Sequence, residues 1–457
     1  MIVNGIVAEY NPFHKGHQYQ LEDARRATGA DYTVVVMSGN FVQRGAPAII
    51  DKYTRTKMAL SCGADLVLEL PVYYACASAE YFAEGAVSLL DQLSAVDHLC
   101  FGSEEGSTDN LDVIARILAE EPEEYTMALR DNLRKGLSFP TARMQALITY
   151  DESLKEKEAL LTSPNNILGV EYLKTLYKRS SSMKPYTTQR QGAGYHDIDS
   201  GGQLASATAI RHLLIEHWAD EPVYNNITSF SDTESLSKQM IPFLADHIPL
   251  EALNKLIASL AKSYVNNVGN IYKHFMTENS FSAQLHYKLL SEASHGFTKY
   301  LDVSEDISDR INKHLYDFES FAQFTDLLKT KDTTHTRLSR CLLHILLGIT
   351  NEHMTEYRTL GFIPYARVLG FRKDAAPLLN SIKKNSKIPL ITKLADSEQV
   401  LATFYGDAET DGNIKTGSLA RRMLSEDISI NRIYESAVSL QTGCPMRNEY
   451  RTPLVII

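Results

Sequence analysis

The chain has 457 residues, a formal net charge of −10 at pH 7 and 44% hydrophobic residues. This length predicts two or three domains, and no apolar run reaches the roughly 18 residues of a membrane span. The negative charge argues against indiscriminate nucleic-acid binding but leaves room for a local basic face. The five cysteines form no C-x-x-C pair, which argues against disulfides or structural zinc and predicts a reducing, cytoplasmic setting.

The first half of the chain alternates strand-like and helical patterns. Strands are expected at residues 2–8, 32–37, 65–70, 98–101 and 186–190. Helices are expected at 16–26, 51–62 and 78–93, throughout 109–178 with a break at 163–166, and from 206, after a polar loop at 192–203. This alternation predicts right-handed βαβ crossovers and a mainly parallel α/β sheet.

The second half reads as mainly helical. A polar, Asn- and Ser-rich stretch at 220–238 marks the expected boundary between an α/β domain (1–220) and a helical domain (221–457). Helical patterns follow at 250–276, 283–292, 304–328 and 338–347.

The most specific local pattern lies in the loop after the first strand. The apolar run ends at Asn11-Pro12, and His14 and His17 follow at the start of a helical stretch. Helix N-termini at the carboxyl edge of such a sheet bind anions, and Gly16 lets a ligand approach the backbone. Two imidazoles on one helical face can donate hydrogen bonds to a phosphoryl group under attack. Alone, such a pair is more often a helix cap. Metal binding is disfavoured because no Cys, Asp or Glu accompanies the pair at ligand spacing.

Two segments resemble the signatures of a known superfamily. Residues 11–17 (NPFHKGH) resemble the HxGH motif of Rossmann-like nucleotidyltransferases, and residues 206–211 (SATAIR) resemble its ISSTxIR element, with alanine at the second serine position. The hydroxyls of Ser206 and Thr208, the helix N–H groups and Arg211 suit binding of a leaving pyrophosphate. The plain alternatives are an N-cap for Ser206 and a surface cation for Arg211.

Longer segments resemble the bacterial tRNA(Met) cytidine acetate ligase family. These are GIVAEYNPFHKGH, MSGNFVQRGAPAIIDKYTRTKMAL, GADLVLELP, FGSE, SPNNILGVEYLK, QRQGAGYH and, further on, THTRLSRCLLHILLGI. The resemblance implies that acetate is adenylated with ATP and that the acetyl group passes to N4 of the wobble cytidine of elongator tRNA(Met). Mg²⁺ is expected with ATP, without a dedicated metal site. His14 and His17 would be catalytic.

The same resemblance implies the residues that bind ATP. Neighbouring Asn166 and Gln189 are open alternatives to two of them. The implied residues are Val7, Ala8, Glu9, Tyr10, Asn11, Pro12, Phe13, His14, Lys15, Gly16, His17, Gln18, Tyr19, Gln20, Gly102, Asn165 and Arg190. Arg44, Asp51, Lys52 and Arg55 are undecided: they would either steer acetate, phosphate or RNA, or lie on a solvated surface.

Basic residues outnumber acidic ones between 331 and 390, which makes this region the expected tRNA-binding face. Tyr357, Tyr365 and Phe371 lie among these charges and suit stacking on a splayed base. An ordinary solvated surface with core aromatics is the alternative. The residues expected to bind RNA are Arg337, Arg340, Arg367, Arg372, Lys373, Lys383 and Lys384.

Two other functions stay open on the sequence. A small-molecule nucleotidyltransferase that acts on a phosphorylated cofactor precursor would share the first domain but does not need the long helical half. A non-catalytic RNA-binding protein with a vestigial nucleotide fold would not need intact HxGH and SATAIR elements. Products formed from ATP with and without tRNA separate these cases.

Overall fold

The structure is a computed structural model that describes residues 1–190, 205–219, 233–264, 275–331, 333–406 and 413–457. The expected loop at 192–203 and most of the expected boundary at 220–238 lie outside these residues. The strands are β1 (Val3–Ala8), β2 (Tyr32–Ser38), β3 (Phe41–Val42), β4 (Ala46–Pro47), β5 (Leu66–Leu70), β6 (His98–Ser103), β7 (Lys184–Gln189), β8 (Ala366–Phe371), β9 (Leu390–Ile391) and β10 (Val455–Ile456).

In the first half of the chain, helices separate the parallel strands, and in the second half helices predominate. They are α1 (Lys15–Thr28), α2 (Lys52–Ser61), α3 (Val72–Ala75), α4 (Ala79–Gln92), α5 (Thr108–Glu120), α6 (Glu123–Arg134), α7 (Phe139–Tyr150), α8 (Glu158–Thr162), α9 (Pro164–Arg179), α10 (Ala207–Ala219), α11 (Thr233–Leu244), α12 (Leu250–Tyr264), α13 (Ser282–Glu292), α14 (Glu305–Lys313), α15 (Phe321–Leu327), α16 (His335–Leu347), α17 (Asn351–Thr359), α18 (Ala376–Asn385), α19 (Ser397–Tyr405) and α20 (Asn413–Thr442).

The main sheet has the order β10-β8-β5-β2-β1-β6-β7, with β9 paired to β8. Strands β5, β2, β1, β6 and β7 run parallel to their neighbours, whereas β8 pairs antiparallel with β5. The predicted mainly parallel α/β fold with a helix-rich second half is therefore confirmed. The short antiparallel hairpin β3–β4 lies where the sequence indicated only a turn.

Alternating side chains of the parallel strands enter two hydrophobic cores. Along β2, Val34 and Val36 pack with one cluster, whereas Val35 and Met37 pack with the other. Because successive side chains point to opposite faces of a sheet, the clusters mark its two faces. The face of Val34 packs against α4 and α9, and the face of Val35 packs against α1, α2 and α12. This sandwich places the carboxyl ends of the strands between two sets of helices.

The second half of the chain also contributes to the sheet, which the sequence analysis did not predict. Strand β8 is buried along most of its length. A Cβ on Gly370 would lie 2.5 Å from the Val455 carbonyl oxygen, so the glycine permits β8 and β10 to pair. The proposed division into two domains at 220 stays a prediction, and any test of it has to include this shared sheet.

One expected long helix is divided in two, and a second is described only in part. The stretch 304–328 forms α14 and α15, because the chain turns after Lys313 and Ser320 caps a new helix by accepting a hydrogen bond from the Gln323 amide. The helix expected at 250–276 extends to Tyr264, and residues 265–274 lie outside the described chain. Within the part of the chain that the structure describes, no helix is both long and apolar enough to span a membrane.

Candidate active site

A cleft of about 170 Å³ lies at the carboxyl ends of β1, β6 and β7 and opens to solvent. Helices α1 and α10 begin at its rim, so the positive ends of both helix dipoles lie beside the same space. The lining residues are Val7, Ala8, Glu9, His14, His17, Gln20, Gln43, Arg44, Phe82, Phe101, Gly102, Asn165, Leu168, Tyr172, Arg190, Ser206, Ala207, Thr208 and Arg211. The structure thus brings together residues that are far apart in the sequence.

His14 and His17 form the N-terminal cap of α1. The His14 Nδ1 atom accepts a hydrogen bond from the Gly16 amide at 3.0 Å, and the His14 amide donates to His17 Nδ1 at 3.2 Å. The two rings stack with centroids 3.7 Å apart. The capping role and the catalytic role that the sequence analysis treated as alternatives are therefore compatible in one geometry.

These caps determine which ring nitrogen carries the proton. Since Nδ1 of His14 and Nδ1 of His17 both accept hydrogen bonds, each neutral ring carries its proton on Nε2. Burial, followed by the nearby charges of Arg190 and Arg211, lowers the pKa of His14 to about 3. Burial and then the neighbouring His14 also place the pKa of His17 well below its ordinary value. Both rings are therefore neutral N–H donors at neutral pH.

The SATAIR segment forms the second helix start at the cleft. Ser206 caps α10 by accepting a hydrogen bond from the Ala209 amide at 3.2 Å. Arg211 donates to the Asn11 carbonyl at 2.8 Å and to the Thr208 hydroxyl at 3.0 Å. These bonds fix the guanidinium beside the histidine loop, so Arg211 is a fixed cation of the cleft rather than a solvated surface residue.

The structure separates Asn165 and Arg190 from their neighbours. Asn165 lines the cleft, where its amide donates to Glu104 at 2.6 Å. Asn166 is buried and accepts a hydrogen bond from the Glu105 amide instead. Arg190 lines the cleft at the end of β7, and the Cβ that Gly102 lacks would lie 3.5 Å from its side chain.

Several residues of the predicted ATP loop support the site without lining the cleft. Tyr10 and Phe13 are buried, and their rings contact His17 at centroid distances of 4.8 and 5.6 Å. A Cβ on Gly16 would lie 2.8 Å from the His14 ring. The glycine therefore makes room for the His14 imidazole, and the expectation that it also lets a ligand approach the backbone stays a prediction. The other predicted ATP residues outside the lining are Asn11, Pro12, Lys15, Gln18 and Tyr19.

The helix that follows β4 is not a solvated, ligand-steering face. Arg55 is fully buried and donates to the carbonyls of Glu9 at 2.6 Å and Ser38 at 3.1 Å. It thereby ties together the ends of β1 and β2. Asp51 caps α2 and pairs with Arg447 at 2.7 Å. Both residues therefore have structural roles: their side chains make contacts within the protein.

Lys52 belongs to a buried charge cluster that no local sequence pattern indicated. Its ammonium contacts Glu69 at 2.7 Å and Glu449 at 2.6 Å, and Arg367 contacts the same carboxylates at 2.8 and 3.0 Å. The prediction that Arg367 binds RNA is therefore wrong, because its side chain is 4% exposed and is engaged by these two carboxylates.

The remaining basic residues are split between opposite ends of the sheet. Arg337 and Arg340 belong to α16, whose backbone packs against Gly45 beside the cleft, and Arg340 pairs with Asp302 at 3.3 Å. Arg372 donates its backbone N–H to the carbonyl oxygen of Asp65. Asp65 precedes β5, so it lies at the amino edge of the parallel strands, opposite the cleft. The others at that edge are Lys373, which bonds to the end of β10, and Lys383 and Lys384 at the end of α18. This placement argues against a role for those four residues at the reacting base.

The expected stacking aromatics also have structural roles. Tyr357 and Tyr365 are buried, and the Tyr365 hydroxyl donates to Asp427 at 2.7 Å. Phe371 packs against the hydrophobic core. Sequence reasoning instead missed an apolar part of the cleft that is formed by Phe82, Phe101, Leu168 and Tyr172. Their helical or strand spacing indicated core positions, and no local signal marks a core residue whose edge faces a ligand.

Comparisons with known proteins assign the class. The model of the HIGH Nucleotidyl Transferase family matches residues 1–446. This span includes the two histidines of the α1 cap, the carboxyl edge of the sheet and the SATAIR helix. The chain therefore belongs to the HIGH nucleotidyl transferases.

Within that class, the relatives carry one name. A tRNA(Met) cytidine acetate ligase of Caldanaerobacter subterraneus is 41% identical over 393 residues, 86% of this chain and 88% of the relative. One of Acetivibrio thermocellus is 40% identical over 396 residues, 87% and 89% of the two chains. The crystal structure of Thermotoga maritima TmcAL bound with α-thio ATP matches with a TM-score of 0.83 and 31% identity, covering 100% of both chains. The chain is thus a member of the tRNA(Met) cytidine acetate ligase family, as the motifs predicted.

Proposed function

We propose that this chain adenylates acetate with ATP and transfers the acetyl group to N4 of the wobble cytidine of elongator tRNA(Met). The observation that carries this proposal is the pair of neutral Nε2–H donors of His14 and His17 beside Arg211, at the start of two helices. The family relatives are named for this activity. ATP itself is supported as a substrate by the similar TmcAL structure with α-thio ATP.

In the first step, a carboxylate oxygen of acetate attacks the α-phosphorus of ATP. The new P–O bond forms as the bond to the bridging oxygen of the β-phosphate breaks, which yields acetyl-adenylate and pyrophosphate. Negative charge grows on the phosphoryl oxygens and on the leaving group. The Nε2–H groups of His14 and His17 donate to this charge, and Arg211 with the α10 N-terminus receives the pyrophosphate.

In the second step, the N4 amine of cytidine attacks the acetyl carbon. The C–N bond forms, the bond between the acetyl carbon and the AMP oxygen breaks, and the amine releases a proton to water. Neither step requires a protein nucleophile, so positioning and charge stabilisation account for the contribution of the chain. An unpaired cytidine suits this chemistry, because a paired N4 amine is not accessible.

Mg²⁺ would enter as the Mg–ATP complex. Among the described residues, no group of three potential metal ligands occurs, and Glu9 is the one carboxylate in the cleft lining. These residues do not fit a protein-held magnesium site, so no step is assigned to the metal.

The tRNA would approach from the side of α16. Arg337 is exposed at the start of this helix, and the α16 backbone at Arg340 packs against Gly45, next to the cleft residues Gln43 and Arg44. A basic residue in this position is suited to contact phosphates near the reacting base. The cytoplasm, which holds the tRNA pool, is the proposed compartment.

Acetate-dependent exchange between ATP and labelled pyrophosphate tests the adenylation step without tRNA. The wild type is expected to exchange label only when acetate is present. His14→Ala and His17→Ala are expected to abolish exchange with the fold retained by circular dichroism, and Arg130→Ala, an exposed arginine on α6 outside the cleft, is the matched control. Near wild-type exchange in both histidine variants would contradict the proposal. Exchange that depends on a phosphorylated cofactor precursor instead of acetate would identify the chain as a small-molecule nucleotidyltransferase.

A further inference from the structure

The cleft extends across both faces of the sheet. On the α1 face lies the nucleotide lobe, which we define by His14, His17, Gln20, Gly102, Arg190 and Arg211. On the α4 and α9 face lies a second lobe, the acceptor lobe, which we define by Glu9, Gln43, Arg44, Phe82, Leu168 and Tyr172. The two cores assign the apolar residues to faces, because Leu21 of α1 packs in one cluster and Phe82 and Tyr172 pack in the other. Gln43 bonds to Glu9 just after β1, and Arg44 follows Gln43, so these three residues are grouped with the acceptor lobe at its junction with the nucleotide lobe. The two lobes meet at the end of β1.

We infer that the acceptor lobe holds acetate, with Arg44 binding the carboxylate and Phe82, Leu168 and Tyr172 forming the wall that limits the length of the acyl chain. This inference rests on the proposed adenylation of acetate and adds the residues that bind and select the carboxylate.

The position of Arg44 fits an anion that has to reach the α-phosphate. Burial lowers its pKa, Glu9 opposes this shift, and Arg211 and Arg190 lower the pKa further, so the guanidinium is close enough to interact with charged residues of both lobes. Acetate and the triphosphate repel each other on approach, and the neutral histidines add no full charge to offset this. Arg44, Arg190 and Arg211 against Glu9 leave the described lining net positive, and Arg44 is the cation of the acceptor lobe.

The loop that carries Arg44 is held firmly. The Gln43 amide donates to the Glu9 carboxylate at 3.0 Å, and Ser339 of α16 donates to the Gly45 carbonyl at 2.7 Å. Gly45 has a φ of +78°, and a Cβ there would lie 2.4 Å from the Arg340 amide nitrogen. A residue fixed on both sides by such contacts is suited to position a small ligand, because little conformational freedom is lost on binding.

The apolar wall of the acceptor lobe is suited to a methyl group. Phe82 and Tyr172 are 3% and 4% exposed, the rings of Tyr172 and Phe101 lie 5.6 Å apart, and Leu168 is partly buried. Burial and then the charge of Glu9 raise the pKa of Tyr172, so the phenol stays neutral and Glu9 faces this wall. A tightly packed wall of this kind rejects longer acyl chains, since each added methylene changes specificity by about 10- to 200-fold.

Pyrophosphate exchange with acetate, propionate and butyrate tests this inference. Arg44→Gln is expected to raise the KM for acetate by about 10- to 100-fold, the usual cost of a lost charged hydrogen bond, with the KM for ATP nearly unchanged. Arg44→Lys is expected to restore part of the affinity, and Arg130→Gln is the control. An increase in the KM for ATP with an unchanged KM for acetate would overturn the inference and assign Arg44 to the phosphates.

The wall is tested by enlarging it. Leu168→Ala, at a partly buried position, and Phe82→Val are expected to raise kcat/KM for propionate relative to acetate at least tenfold. If both variants fold and keep the acyl preference of the wild type, the wall lies elsewhere and the inference is wrong. If the wild type shows no exchange with any monocarboxylate, the proposed function itself fails, which is a separate result from wild-type exchange with unaltered variants.

Discussion

Exchanging His14 for Asn or Gln separates the cap from the catalytic donor. An Asn side chain places an amide oxygen near the position of Nδ1, which accepts the Gly16 amide at 3.0 Å, but has no donor at Nε2. A Gln side chain reaches the position of Nε2 with an N–H and leaves the cap acceptor position empty. The two variants therefore remove complementary parts of one imidazole.

The two variants are expected to affect different quantities, the stability of the fold and the rate of exchange. His14→Asn should keep the stability of the fold, because Asn is among the best N-cap residues, and lose about 100- to 1000-fold in the rate of acetate-dependent pyrophosphate exchange. His14→Gln should lose about 1 kcal/mol of stability with the cap and keep at least tenfold more exchange activity than the Asn variant. Urea denaturation measures the first quantity and isotope exchange at saturating ATP measures the second. Wild-type exchange in His14→Asn would refute the assignment of Nε2–H as the donor.

Three further outcomes follow from the same contacts. The pKa of His14 is about 3 in the fold, whereas its ordinary value is 6.5. The neutral ring therefore contributes its full share to the free energy of unfolding above pH 6.5, and this share is lost toward pH 3 by up to about 1.4 kcal/mol per pH unit. The melting temperature of the wild type should fall more steeply below pH 6.5 than that of His14→Asn. Arg367→Met should lower the free energy of unfolding, measured by urea denaturation, by about 3–5 kcal/mol, since it leaves two buried carboxylates with one cation fewer. Lys373→Ala on the surface should change it by less than about 0.5 kcal/mol. Equal effects of the two substitutions would refute the buried cluster. Arg337→Ala should raise the KM for tRNA without changing pyrophosphate exchange, and Lys383→Ala should change neither; the reverse pattern in tRNA titrations would place the RNA at the far edge of the sheet.

The parallel strands were predictable because each is an apolar run between helical patterns. Strand β8 was not, because its six residues lie among basic ones and include Arg367, whose charge indicated a surface. Pairing with β5 and neutralisation by Glu69 and Glu449 depend on contacts across hundreds of residues. Local pattern carries no information about such contacts.

More of the histidine loop than of the rest of the site could be predicted from the sequence. Its strand-loop-helix order fixes the place of His14 and His17, and the SATAIR helix supplied a second element in the expected order. The ring tautomers, by contrast, depend on the reciprocal hydrogen bonds of the cap and could not be predicted. The space that Gly16 leaves for the His14 ring is likewise visible only in the structure. The acceptor lobe was missed because Phe82 and Tyr172 are large side chains buried in the core, and no local pattern shows that their edges line a cleft.

We propose that this chain forms acetyl-adenylate and passes the acetyl group to a tRNA base. The most direct measurement incubates the protein with ATP, isotope-labelled acetate and bulk tRNA, digests the RNA and locates the label by nucleoside mass spectrometry. We expect labelled N4-acetylcytidine that disappears when ATP or elongator tRNA(Met) is omitted. Label on a small molecule, on another nucleoside or on no product at all would contradict it.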